Sequence, residues 1–161
     1  YSSIGNWKNK IVISLTIVFS LILTGSYMVG IGASTSCSTW PLCRNELFPS
    51  GMEYSIHMGH RYMAAISTLY LGYMSITFIK NSKNFPILRK AAHSVLGLMI
   101  LQVVVGAFVV WSDFSLHMKS THLSLATLIW IAVVFTALTL HSLSTTKPEL
   151  KKLNSNELRN N

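Results

Sequence analysis

The stretch from Ala91 to Trp111, AAHSVLGLMILQVVVGAFVVW, runs for about 21 residues without a charged side chain. At about 1.5 Å of rise per residue, a helix of that length reaches across the ~30 Å hydrocarbon core of a bilayer. Three more stretches of similar length read the same way: Ile11 to Ile31, Ile56 to Ile79, and Ser120 to His141, of which only the second carries a charge, Arg61. None alternates polar and apolar residues as a barrel strand does, and within hydrocarbon only helices and closed barrels satisfy the backbone. The expected fold is all-α, an integral membrane four-helix bundle.

Composition agrees. Of 161 residues, 50% are hydrophobic and only 11% charged, with mean hydropathy +0.45. An average soluble domain is about 25% charged, so a soluble globular surface and a separate soluble catalytic domain are both excluded. The net charge of +8 and the pI near 9.7 would suggest nucleic acid in a soluble protein. Here the cations mark orientation instead. Lys8 and Lys10 precede the first span, Lys80, Lys83, Arg89 and Lys90 separate the second from the third, and Lys147, Lys151, Lys152 and Arg159 follow the fourth. The positive-inside rule then places both termini in the cytoplasm, and no nucleic-acid partner is expected.

The resulting plan is a cytoplasmic N-terminal segment over 1–10, a four-span bundle over 11–143 with an outer loop at 32–55, and a polar cytoplasmic tail over 144–161, expected to be mobile. The first run follows Lys8 and Lys10 as a signal peptide would, but it has no clear small-residue cleavage site and reads as a retained helix. Tyr1 rather than Met opens the chain, which leaves room for a preceding piece. The outer loop holds both cysteines, in Cys37-Ser-Thr-Trp-Pro-Leu-Cys43. On the non-cytoplasmic side of a cell membrane such a pair can close a disulfide.

Ionisable groups inside a membrane are costly and mark function by default. His60 and His122 lie at matched depth, ~7–12 Å along two parallel spans from their outer ends. A haem lying across a bundle needs this arrangement, one imidazole on each face of the iron. A lone intramembrane histidine more often bonds a neighbouring helix; the matched pair favours ligation. Glu53, His57 and His60 share one helical face by their spacing, which could combine a carboxylate, a proton relay and a ligand. His117 sits at the outer boundary, where it can line a pocket mouth, and His93 and His141 are read as solvated at the other interface. Arg61 is placed either to pair with a haem propionate or to snorkel to the headgroups.

Together these residues resemble the haem A synthase family, membrane enzymes that convert haem O to haem A for cytochrome oxidase. The resemblance rests on the Cys37 to Cys43 loop, His57-Met-Gly-His60-Arg61, Leu101-Gln-Val-Val-Val-Gly-Ala107 and Thr121-His122-Leu, and covers roughly residues 20 to 140. Family members typically have eight spans in two similar halves, and this chain looks like one half. The resemblance implies haem iron held by His60 and His122, the cofactor being haem B or haem O/A, and a disulfide between Cys37 and Cys43; Arg61 and His117, from their positions, are the further candidates for cofactor binding. It also implies oxidation of a haem methyl group to a formyl group. Haem is then a substrate, and membrane lipid the surroundings. The candidate protein partners are a second copy or second half-protein, haem O synthase and cytochrome oxidase.

Two positions depart from the family pattern. The glutamate three residues before the first ligand is His57 here, the nearest carboxylate being Glu53, and an arginine near the end of the first span appears as Val29. Glu53 or His57 is accordingly the expected catalytic substitute. The His-Met-Gly-His-Arg context is similar to the half that holds an accessory haem b, so a non-catalytic bis-histidine electron-transfer or assembly subunit is the alternative. A membrane thiol/quinone oxidoreductase is a second alternative, disfavoured because that chemistry ordinarily uses more than one cysteine pair.

Overall fold

The computed structural model describes the backbone of residues 3–160 and the side chains of residues 7–143. Four helices account for most of it: α1 (Ser3–Gly30), α2 (Met52–Asn81), α3 (Pro86–Trp111) and α4 (Leu116–Asn160). Among the described residues there is no strand; Cys43 and Glu46 form one isolated bridge. Each helix begins before its uncharged run does, because polar residues at the ends of a span keep the helical backbone. α4 is helical through most of the expected tail 144–161, whose mobility lies outside the described residues.

The connections explain the order. Two are tight turns, and short links make consecutive helices antiparallel neighbours. α2 stops at Ser82, whose N–H bonds Phe78 O at 2.9 Å, and α3 starts on Pro86, where a missing N–H costs nothing. α3 stops with Asp113 and Phe114 both left-handed (φ 52° and 58°). Their N–H groups reach back to Val110 O and Val109 O, satisfying carbonyls the helix end would orphan. α1 ends at Gly30, Gly32 turns the chain at φ 78°, and the longer connection to α2 opens with a 3₁₀ turn, Ala33–Thr35. α4 packs back on α1, so the four helices close into a ring.

All four spans are long and apolar enough to cross a membrane, and only 22–28% of each apolar window is buried inside the protein. Their large side chains, among them Phe19, Leu69, Val104 and Leu138, therefore face outward, as lipid contact requires and water would not tolerate. The interior is knitted mainly at one end. Val18, Leu71, Phe78, Leu88, Met99 and Val133 belong to one buried cluster, with Trp7 edge-on to Phe78 at 4.8 Å. Small residues let the helices approach there, as membrane helices must without a hydrophobic driving force between them. Ser14, Ser67 and Thr136 are buried but return their hydroxyl protons to their own helix.

Candidate functional site

Toward the other end of the bundle the large apolar side chains give way to a layer of histidine, glycine and amide. His60 on α2 lies against Gly25 of α1, where a Cβ would come within 3.2 Å of its Cε1. His122 on α4 lies against Gly106 of α3 in the same way, at 3.1 Å. Each imidazole is thus seated on a glycine of the preceding helix, and only a missing side chain permits that approach. His60 lies eight residues past the start of α2 and His122 six past the start of α4, so the two rings sit at similar depth from the same end of the bundle.

Their hydrogen bonds differ. Thr24 donates its hydroxyl to Leu21 O at 2.9 Å and lies 3.2 Å from His60 Nδ1. With that proton on Leu21 O, Thr24 accepts from Nδ1–H in the tautomer that leaves the Nε2 lone pair of His60 free. On His122 the Nε2 atom is taken by the Gln102 amide at 3.3 Å, while His122 Nδ1 and Gln102 Oε1 are buried without a partner. An unsatisfied buried polar atom costs about 1–3 kcal/mol, so this layer holds uncompensated polarity that a ligand could relieve.

The connection between α1 and α2 folds over the layer. Cys37 and Cys43 form a disulfide with Cα atoms 4.8 Å apart, and both are fully buried. Arg61 reaches into this loop. Its Nη1 donates to the carbonyls of Thr39, Pro41 and Leu42 at 2.7, 3.1 and 3.2 Å, and its Nη2 to that of Cys37 at 3.1 Å. The guanidinium fork suits such a cluster because its donors diverge in one plane. His57 is buried on the same side. Its Nδ1 either donates to Ala33 O at 3.1 Å or accepts from Cys37 N–H at 3.4 Å, and the Phe114 ring meets it edge-on at 6.4 Å. Trp40 of the loop packs edge-on against Trp111 at 5.6 Å, and Tyr62 donates to Leu47 O.

The structure therefore brings His60 and His122 into one layer and places Arg61, His57 and the cysteines in a cap beside it. Glu53 and His117 are exposed, in the first turns of α2 and α4, and belong to neither. Sequence reasoning gave no role to Thr24, Gly25, Gln102 or Gly106. Two signals were present: Gln102 is the only glutamine in the chain, and an intramembrane amide asks for a partner. A glycine inside a helix costs ~1 kcal/mol against alanine, which asks for a packing reason.

Comparison with known proteins matches residues 3–134 to the family model described as cytochrome oxidase assembly protein. The chain is similar to the Heme A synthase of Geobacillus kaustophilus, 27% identical over 105 residues that make up 65% of this chain and 33% of that protein. It is 28% identical over 115 residues to the Heme A synthase of Macrococcus caseolyticus, covering 70% of this chain and 38% of that one. The Heme A synthase of Oceanobacillus iheyensis is 30% identical over 106 residues, 63% of this chain and 34% of its own. The matched part is thus about a third of the length of these curated relatives.

Proposed function

We propose that this chain, which belongs to the cytochrome oxidase assembly protein family, is a haem-holding four-helix unit of the haem A synthase type, in which His60 and His122 would hold the iron. The observation that carries the reading is the layer itself, two imidazoles on facing helix pairs, each backed by a glycine that a Cβ would fill. The residues fit haem on a second count: the layer contains buried polar atoms without partners, His122 Nδ1 and Gln102 Oε1, rather than a completed hydrogen-bond network. When bound, haem supplies a redox-active iron and, as haem O, the methyl group to be oxidised to formyl.

The chain's own residues bind and orient. His60 presents Nε2 because Thr24 holds Nδ1–H. Arg61 and the disulfide shape the cap, so in this reading Arg61 spends its donors on the loop and not on a propionate. The cation distribution supports cytoplasmic termini with the cap on the non-cytoplasmic side of the cell membrane. Proton handling during methyl oxidation is assigned to His57 or Glu53, the groups nearest the missing family glutamate in sequence.

One observation favours a second reading. Glu53 is exposed and His57 is engaged with Ala33 and Cys37, which supports a unit that holds haem B for electron transfer while the methyl group is oxidised elsewhere in a larger assembly with a second copy or half-protein. The buried cysteine pair gives no support to thiol exchange with a quinone. The test is pigment analysis of the purified protein, by absorption spectrum and by the mass of extracted haem. Haem O, haem A or an intermediate between them supports the synthase reading, and loss of haem A formation in Glu53→Ala or His57→Ala would then assign the proton-handling group. Haem B alone supports electron transfer. A chain that takes up no haem refutes both.

A further inference from the structure

The two imidazoles of the layer share a setting but not a bonding pattern. The difference bears on how a haem would be held, and the inference rests on the haem-holding function proposed for the layer. On His60 the Nδ1 nitrogen has a side-chain partner on the neighbouring helix. Thr24 has Leu21 O within reach of its proton at 2.9 Å, and in the Nδ1–H tautomer of His60 its oxygen accepts from that ring nitrogen at 3.2 Å. A metal-binding imidazole ordinarily has this support, its second nitrogen donating to a fixed acceptor so that the ring orientation and tautomer are set in advance. Gly25 sets the ring's distance from α1, since a Cβ there would stand 3.2 Å from His60 Cε1 and press the ring away by a few tenths of an ångström.

On His122 the pattern is reversed. The amide of Gln102 occupies Nε2 at 3.3 Å, and Nδ1 has no partner. Whichever of the two groups donates, one further polar atom of the amide is left buried and unpaired, Oε1 as the structure stands. The contact therefore satisfies little of the polarity it buries and yields readily to a better partner. It also remains within reach: an imidazole released by the metal meets an amide on the adjoining helix.

We propose that His60 is the anchoring ligand and His122 the exchangeable one, and that Thr24 and Gln102 are the positioning residues that make them so. Gln102 competes with the iron for His122 Nε2, while nothing in the layer competes for His60 Nε2. A haem held in this layer would consequently let His122 be replaced by a small exogenous ligand, of the class of carbon monoxide, cyanide or free imidazole. A tetrapyrrole that must be taken up and passed on is served by one firm bond and one that can be undone.

The experiment uses the full chain in detergent, reconstituted with haem B, and reads haem affinity, the low-spin fraction and carbon monoxide binding by the ferrous form. Thr24→Val should weaken haem binding about 10-fold or more, the usual effect of removing a ligand's hydrogen-bond support. Gln102→Leu should do the opposite, raising the low-spin fraction and reducing carbon monoxide binding about 10-fold, since the competitor for His122 is gone. His122→Ala should keep haem with one ligand missing, and His60→Ala should lose it. Because a histidine truncation can unfold the bundle, the two near-isosteric variants carry the test by themselves. Carbon monoxide binding unchanged in Gln102→Leu, or haem affinity unchanged in Thr24→Val, overturns the inference and leaves the haem reading intact. Wild-type chain that takes up no haem overturns both.

Discussion

Replacing Gly106 by alanine should push apart two properties that usually move together, the stability of the empty bundle and its capacity for haem. The added Cβ would stand 3.1 Å from His122 Cε1 and 3.5 Å from its Nδ1. Carbon atoms prefer about 3.5–4.0 Å, so the ring must give by roughly 0.4 Å or more. The helix, by contrast, gains: glycine in a helix interior costs about 0.8–1.0 kcal/mol relative to alanine. Nearby relaxation consumes part of that gain, leaving the empty protein about as stable as before, within ~0.5 kcal/mol. A ligand displaced by a few tenths of an ångström approaches the ~0.5 Å tolerance of a preorganised site, and second-sphere disturbances of this kind typically weaken metal binding about 10–100-fold. Gly25→Ala should act likewise through His60, at 3.2 Å. Gly97→Ala is the control, because its Cβ would enter open space. The assay pairs thermal unfolding in detergent with haem titration. Gly106→Ala binding haem as tightly as the wild type would refute the reasoning, as would an equal loss in Gly97→Ala.

Two further predictions concern the cap. Arg61→Met removes every donor to the loop carbonyls; counting one effective charge-assisted bond per nitrogen at ~1.5–3 kcal/mol and discounting for partial exposure, loop attachment should fall by on the order of 2–4 kcal/mol. Faster proteolysis within residues 32–51 and a red-shifted Trp40 emission are the readouts, and Arg61→Lys should not restore them because an ammonium lacks the fork. The second prediction is topological. With Cys37 and Cys43 both replaced by serine, a cysteine introduced by Phe48→Cys at an exposed loop position should be labelled by a membrane-impermeant maleimide in right-side-out vesicles, and labelling confined to inverted vesicles would reverse the assigned orientation.

Some of this was legible in the sequence, for physical reasons that also explain what was not. The spans were visible because charge is nearly absent from them, and hydrocarbon tolerates little of it. His60 and His122 stood out for the same reason, and their matched depth comes from counting along helices. Thr24 was silent because a threonine that returns its proton to its own helix looks ordinary, and the same hydroxyl's lone pair on His60 is a contact between helices that no local pattern encodes. The chain has 9 glycines, and only the assembled bundle shows that Gly25 and Gly106 lie under imidazoles. Arg61 illustrates a different failure. Propionate and headgroup were the partners weighed for it, whereas four carbonyls of a loop 19–24 residues away in sequence take its donors. His57 is covered by Phe114, which a left-handed turn (φ 58°) brings across from the far side of the chain; a bulky residue in that conformation is rare enough that sequence gives no warning of it.

The seating of each histidine on the helix before it has a consequence for biogenesis. A chain threaded into the bilayer span by span acquires the Gly25 and His60 pair with its first hairpin, but the facing pair needs the second hairpin to arrive and dock, since His122 lies in the last span and its glycine in the one before. No partly inserted form owns both halves of the layer. In the haem-holding reading proposed above, capture through the pair would therefore be a late event, timed by the completion of insertion, and a chain stalled midway could not sequester a scarce and reactive pigment.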